Sequence, residues 1–218
     1  MPPVSSHAAP APSPLPLCLL VAVAGMTDSL MFMHSSDLLA VYMSGNTSKL
    51  ARSLALGQWP ALAALAGVIA AFFATTTVAA WLGKFVGRWR ATLNLALTAV
   101  LLCVAWPLAH EQYSAGAVML IAAAMGALNQ VLADEPGVTF ITGALVRLSR
   151  SLVERDAHAV VTGVLRWLAW LAGAMIGTLL DIRVEAPTLL LLAIGTAMGA
   201  LICAFQARLP GTSVADHS

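Results

Sequence analysis

Six long apolar runs constrain the fold of this chain more than any other feature. A helix that crosses a bilayer needs about 20 largely apolar residues. Runs of about this length lie at residues 15–33, 60–83, 91–108, 115–133, 157–180 and 186–205. Inside a bilayer the backbone donors and acceptors must be satisfied within the segment, so we expect helices rather than strands. The pattern predicts an all-α polytopic membrane protein with about six transmembrane helices.

Composition excludes several other classes of protein. The chain is 60% hydrophobic and 10% charged, whereas a soluble domain is about 45–50% apolar and about 25% charged. This argues against a soluble helical bundle and predicts the lipid bilayer as a partner. The formal net charge of +1 predicts no nucleic-acid binding. Cys18, Cys103 and Cys203 lie inside apolar runs without a CxxC pair, so we expect no disulfide framework, metal site or cofactor.

The ends of the chain and its basic residues predict an orientation in the membrane. Residues 1–14 and 207–218 are expected to be disordered tails. No Lys or Arg precedes the first run, so this run is expected to be retained rather than cleaved as a signal peptide. With six spans, the side of both termini carries Lys84, Arg88, Arg90, Arg147, Arg150, Arg155 and Arg208, and the other carries Lys49, Arg52 and Arg183. This excess predicts that both termini are cytoplasmic.

Two polar, basic segments interrupt the apolar pattern and resemble each other. They are VYMSGNTSKLARSLALG at residues 41–57 and FITGALVRLSRSLVERD at residues 140–156. An offset of 98 residues superimposes Ser44 on Thr142, Gly45 on Gly143 and Lys49 on Arg147, and it continues without gaps. We therefore predict a duplication, with three-helix repeats at 15–108 and 109–206. Because three is odd, the second repeat would enter the membrane from the opposite side, giving an inverted-topology repeat of the kind found in secondary transporters.

The segments allow two structural interpretations. In the first copy, Ser44–Thr47 is expected to cap a new helix that ends at Gly57. This helix could lie at the headgroup level as an amphipathic helix with its basic face outward. Alternatively, it could be a broken or re-entrant helix whose N-terminus points into the protein and presents unsatisfied N–H groups to an anion or a carbonyl oxygen.

Several motifs together resemble a known family. They are Gly25-x-x-Asp28, Ser44-Gly45-Asn46-Thr47, Met125-Gly126-x-x-Asn129 and Thr142-Gly143. Over roughly residues 17–205 the chain resembles the YoaK-like family of bacterial multi-pass inner-membrane proteins, which is a domain of unknown function. The resemblance implies a location in the bacterial inner membrane and six or seven spans, and it implies no substrate.

Ionisable and amide groups at membrane depth are functional candidates, because burying them in lipid is expensive. Asp28 lies roughly 20 Å along its span, past the middle of a ~30 Å hydrocarbon core. The offset places Asn129 on Met31, one helical turn from Asp28. We therefore predict that Asp28 and Asn129 contribute to a central polar site. The alternatives are that Asp28 ends a short span or pairs with Arg166.

A polar stripe of His158, Thr162 and Arg166 follows one face of the fifth span. A stripe of this kind should face protein or water, either lining a pathway or forming an ion pair of Arg166 with Asp28 or Asp181. The small residues Gly173 and Gly177 could serve internal packing or a homo-oligomer. The predicted substrate or ion site comprises Asp28, Ser44, Gly45, Asn46, Thr47, Asn129, Thr142, Gly143 and Arg166.

The sequence contains no enzyme signature such as a P-loop, a His-Glu-x-x-His motif or a nucleophile elbow. We therefore expect a protein that is not an enzyme. The favoured function is a carrier or channel for an unknown small solute or ion, with a site at the repeat interface. The alternatives are a non-transporting scaffold or assembly partner and a receptor or lipid-binding protein.

Overall fold

The structure is a computed structural model of the full chain. It describes residues 14–35, 38–109, 111–133, 135, 137–184 and 187–208. The predicted tails fall largely in 1–13 and 209–218, which lie outside the described residues.

The described residues are all-helical and contain no strand. In the described part of the chain there are eight α-helices, and 3-10 turns at Gly87–Trp89 and Trp106–Leu108 flank the fourth of them. The helices are α1 (Leu15–His34), α2 (Met43–Ala55), α3 (Trp59–Val86), α4 (Arg90–Ala105), α5 (Ala115–Leu128), α6 (Ile141–Glu154), α7 (Ala157–Val184) and α8 (Thr188–Arg208). The all-α class is thereby confirmed.

Several of these helices are long and apolar enough to cross a membrane. By length and composition, the described chain offers four such segments, which are Leu15–His34, Trp59–Leu108, Ala157–Arg183 and Thr188–Arg208. The second contains both α3 and α4, which the first 3-10 turn separates. The helix α5 is apolar but has only 14 residues. The helix predicted over 115–133 is therefore too long at its C-terminal end, because α5 ends at Leu128. The side chain of Asn129, the next residue, accepts a hydrogen bond from the N–H of Thr139 in the loop before α6.

The helix boundaries repeat along the chain. The helices α6, α7 and α8 each begin 98 residues after α2, α3 and α4. Both α3 and α7 contain 28 residues. The packing has the same regularity, since α1 lies against α7 and α3 lies against α5, while α2 packs on α3 and α6 packs on α7. The helix α4 packs against both α8 and α5, and within the described residues the contact with α5 has no counterpart of similar extent between α8 and α1.

The apolar residues are distributed as expected for helices with lipid outside and protein inside. The helix α5 forms the centre, and all its residues from Ile121 to Leu128 are buried. In contrast, α3 and α8 expose large apolar side chains such as Phe73, Phe85 and Leu201, which are each about 70% exposed. Water would make this apolar surface unfavourable, whereas acyl chains solvate it well.

Glycines allow α1 and α7 to approach closely. A Cβ atom at Gly173 would overlap the backbone of Ala22, and one at Gly177 would contact the backbone of Met26 at 3.0 Å. On the other helix, a Cβ atom at Gly25 would overlap the backbone of Trp170. Of the two roles that the sequence allowed for Gly173 and Gly177, the structure shows internal packing.

A polar cluster ties the C-terminal ends of α1 and α7 together. The Nε2 atom of His34 lies 2.7 Å from Oδ2 of Asp181, and its Nδ1 atom lies 2.9 Å from the carbonyl oxygen of Glu111. The His34 ring stacks on Tyr113 with centroids 4.9 Å apart. Burial and, secondarily, the negative charge of Asp181 raise the pKa of Tyr113 to about 12. The sequence predicted an alternative partner, Arg166, for Asp181, and this prediction is wrong.

Candidate functional site

A cavity of about 670 Å³ opens where α1, α3, α5 and α7 meet the starts of α2 and α6. Its lining combines polar and aromatic side chains. The lining residues are Asp28, Phe32, Val41, Tyr42, Met43, Ser44, Phe72, Thr76, Asn129, Gln130, Gly137, Thr139, Phe140, Ile141, Thr142 and Trp170. We call this space the central cavity.

Most of this lining follows the 98-residue offset. Six pairs of lining residues are related by it, including Tyr42 with Phe140 and Ser44 with Thr142. The other pairs are Phe32–Gln130, Val41–Thr139, Met43–Ile141 and Phe72–Trp170. Residues from both halves of the chain therefore line the central cavity.

Four of the predicted site residues meet in the central cavity, namely Asp28, Ser44, Asn129 and Thr142. Asp28 carries the feature most relevant to binding. Its Oδ1 atom is buried and has no hydrogen-bond partner within the described part of the chain. A buried carboxylate oxygen without a hydrogen-bond partner is unfavourable when the group is ionised.

The side-chain amide of Asn129 binds the segment before α6, which lines one side of the central cavity. Its Oδ1 atom accepts a hydrogen bond from the backbone N–H of Thr139 at 3.0 Å, and its Nδ2 atom lies 2.9 Å from Oγ1 of the same residue. Thr139 belongs to the short segment that leads into α6. The side chain of Asn129 therefore positions this segment as well as facing the cavity.

The two predicted glycines, Gly45 and Gly143, lie next to the cavity lining rather than in it. Each packs against an aromatic ring three residues earlier, Tyr42 in the first copy and Phe140 in the second. A Cβ atom at Gly45 would lie 2.5 Å from the Tyr42 ring, and one at Gly143 would overlap the Phe140 ring. The absence of a side chain at each glycine thus allows an aromatic ring to lie over the first turn of the helix.

The polar residues that follow Gly45 have structural roles. Asn46 is fully buried, and its side-chain amide accepts from the N–H of Leu39 and donates to the carbonyl oxygen of Leu39. Thr47 is exposed, and its hydroxyl donates to the carbonyl oxygen of Met43 within the helix. Asn46 therefore fixes the segment that leads into α2, as Asn129 fixes the segment that leads into α6.

The helices α2 and α6 begin earlier than the sequence predicted. Ser44–Thr47 forms the first turn of α2 instead of preceding it, and neither α2 nor α6 has a side-chain hydrogen bond that caps its N-terminus. The end predicted for α2 at Gly57 is correct, since Gly57 adopts a φ of 65°. Arg155, which lies 98 residues later, adopts a similar φ of 57° after α6. The uncapped N-termini of both helices line the central cavity.

Arg166 lies outside the central cavity. It is 3% exposed, and its Nη1 atom lies 2.8 Å from Oε2 of Glu135. Its Nη2 atom donates to the carbonyl oxygen of Gly137, a residue that lines the central cavity. The predicted ion pair with Asp28 or Asp181 is therefore wrong, because the acidic loop before α6 supplies a nearer carboxylate.

The polar stripe on α7 lines a second, smaller space of about 260 Å³ between α6 and α7. His158, Thr162 and Arg166 face Arg147 and Ser151 of α6 across this space. The stripe thus faces protein, as the sequence predicted. The segment at Gly137–Phe140 separates this space from the central cavity, because Arg166 binds one side of it and Asn129 binds the other.

Five aromatic residues that were not among the predicted site residues also line the central cavity. Phe32, Tyr42, Phe72, Phe140 and Trp170 all line it. The sequence does show that aromatic residues recur at the 98-residue offset, since Tyr42 corresponds to Phe140 and Phe72 to Trp170. The offset alone does not predict a site role for these residues, because aromatic residues in apolar helices usually serve packing.

The apolar helices and their exposed apolar faces are consistent with an all-helical membrane protein. The chain belongs to the family described as "Protein of unknown function (DUF1275)", whose model matches residues 16–204. This match confirms the resemblance that the motifs indicated. The comparisons with curated proteins and with solved structures found no match.

Proposed function

We propose that this protein is a carrier or channel of the bacterial inner membrane that moves a small solute or ion through the central cavity. The observation that supports the proposal is the shared lining of this cavity. Both Gly-containing segments and the intramembrane Asp28 contribute to one space, and the lining residues occur in pairs related by the 98-residue offset. Transporters built from internal repeats bind their substrates at such interfaces, near the middle of the membrane.

We further propose that the two halves are inverted repeats. Each half would consist of a first helix, a short helix, a long third helix and a fourth helix. The packing of α1 on α7 and of α3 on α5 supports a two-fold relation, because an axis that exchanges α1 with α5 and α3 with α7 turns one contact into the other. With the short helices α2 and α6 not spanning the membrane, six crossings remain, and both termini would be cytoplasmic.

Access to the cavity from the two sides of the membrane tests this function. Single cysteines at Ser44 and Thr142 would be introduced after Cys18, Cys103 and Cys203 have been replaced by alanine. In a transporter that alternates its access, an impermeant maleimide should label each cysteine from either side of the membrane in oriented vesicles. Mass spectrometry would measure the extent of labelling.

A matched control is Thr196→Cys, because Thr196 is 3% exposed in α8 and lines neither cavity. It should remain unlabelled from both sides. If Ser44→Cys and Thr142→Cys also remain unlabelled, or react from one side alone, the transport proposal is wrong. The non-transporting scaffold would then be the better explanation.

A further inference from the structure

The central cavity has an unusual combination of charge and aromatic surface. Five aromatic side chains form much of its wall, and Asp28 contributes a carboxyl group. None of the described lining residues is Lys, Arg or His. The formal charge of the lining is therefore negative when Asp28 is ionised, and the other lining residues are aromatic, aliphatic or uncharged polar residues.

The carboxylate of Asp28 is not neutralised by the basic groups that the structure places nearby. Arg166 is bound to Glu135 and Gly137 and lines the other cavity. His34, on the same helix as Asp28, is bound to Asp181. Asp28 forms no ion pair within the described residues, and its Oδ1 atom has no hydrogen-bond donor there.

Aromatic faces and a carboxylate favour the same kind of ligand. The face of an aromatic ring attracts a cation within about 6 Å of its centre, and this attraction is strongest where water is excluded. A carboxylate accepts a charge-assisted hydrogen bond from a protonated amine, and it attracts a quaternary ammonium, which has no N–H, through charge alone. A volume of about 670 Å³ also lies within the range of roughly 300–1,000 Å³ that is typical of pockets for small organic molecules.

We propose, building on the function proposed above, that the central cavity binds a small organic cation, meaning a protonated amine or a quaternary ammonium with an apolar body. The carboxylate of Asp28 pairs with the positive charge, and Phe72 and Trp170 contribute to the aromatic surface around it. The uncapped N-termini of α2 and α6 provide an opposing influence, because a helix N-terminus carries a partial positive charge of about half a unit. The two ends together carry about one positive unit, which equals the charge of the carboxylate, so the preference for a cation depends on direct contact with Asp28 and the aromatic faces.

Three probes with the same apolar body test the charge preference directly. They are benzyltrimethylammonium, benzyl alcohol and benzoate, and their binding to the purified full-length protein in detergent would be measured by isothermal titration calorimetry. The wild-type protein should bind the cation saturably and at least about tenfold more tightly than the other two, which corresponds to about 1.4 kcal/mol. Asp28→Asn should weaken cation binding at least about tenfold and leave benzyl alcohol binding unchanged.

A matched pair of tryptophan variants tests the aromatic wall. Trp170→Leu should weaken cation binding about three- to tenfold, because it removes an aromatic face from the cavity. Trp167→Leu, on the same helix but 41% exposed and outside the cavity lining, should have no effect. Size-exclusion profiles of all variants would establish that they fold.

Three results would overturn the inference. The first is that folded wild-type protein shows no saturable binding of the cation. The others are that benzoate binds as tightly as the cation or more tightly, and that Asp28→Asn leaves cation binding unchanged. The test is separate from that of transport. Cation binding without access from both sides would contradict the transport function alone, and access from both sides with a preference for benzoate would contradict the cation class alone.

Discussion

Replacing Gly173 by valine is expected to cost about 3 kcal/mol of stability or more, and to lower the Tm of the purified protein by about 5–10 °C. The reason is that the new Cβ atom would overlap the backbone of Ala22, which cannot move aside by changing a rotamer. The helices α1 and α7 would have to separate along their contact. Fluorescence-detected size-exclusion chromatography after heating measures this loss.

The chain offers a matched control for this substitution. Gly195 also lies inside an apolar helix, α8, but a Cβ atom there would meet no atom within 4 Å. Gly195→Val should therefore leave the stability within about 0.5 kcal/mol of wild type. Equal stability of Gly173→Val and Gly195→Val would mean that α1 and α7 do not pack as closely as described.

Replacing Asp28 by asparagine should reduce transport to the level of protein-free vesicles while leaving the protein folded. Asparagine has nearly the same shape as aspartate, but it lacks the charge that would bind a cation in the central cavity. Uptake of radiolabelled benzyltrimethylammonium into proteoliposomes would measure the effect. Wild-type protein should take up this probe faster than protein-free vesicles do.

The control for charge is Asp156→Asn. Asp156 is an exposed carboxylate whose Oδ1 atom accepts from the N–H of Ala159, and asparagine can preserve this hydrogen bond. This variant should transport as wild type does. Undiminished uptake by a folded Asp28→Asn protein would exclude Asp28 as the group that binds the transported cation.

The sequence could predict those features that depend on local composition and periodicity. The apolar runs predicted the long helices, and the offset of 98 residues agrees with the starts of α6, α7 and α8. Gly57 correctly marked the end of α2, because its φ of 65° suits a residue without a side chain. The presence of both Asp28 and Asn129 in one cavity followed from the same offset.

Features that depend on distant contacts could not be predicted. Arg166 pairs with Glu135 because the loop before α6 folds back over α7, and no local pattern encodes this. The first turn of α2 includes Ser44–Thr47 because Asn46 bonds backward to Leu39 and fixes the entry to the helix. The sequence shows that Ser, Asn and Thr are suitable N-cap residues. It does not show that the side chains of Asn46 and Thr47 form other hydrogen bonds, to Leu39 and Met43.

We propose that the two halves that line the central cavity have opposite orientations in the membrane. The most direct test labels Gln58→Cys and Asp156→Cys, which are exposed and related by the 98-residue offset. Each follows a short helix in the same way, with its N–H bonded to Ser53 and Ser151, respectively. In intact spheroplasts an impermeant maleimide should label Gln58→Cys at once and Asp156→Cys only after permeabilisation. Labelling of both cysteines from the same side of the membrane would contradict the inverted arrangement.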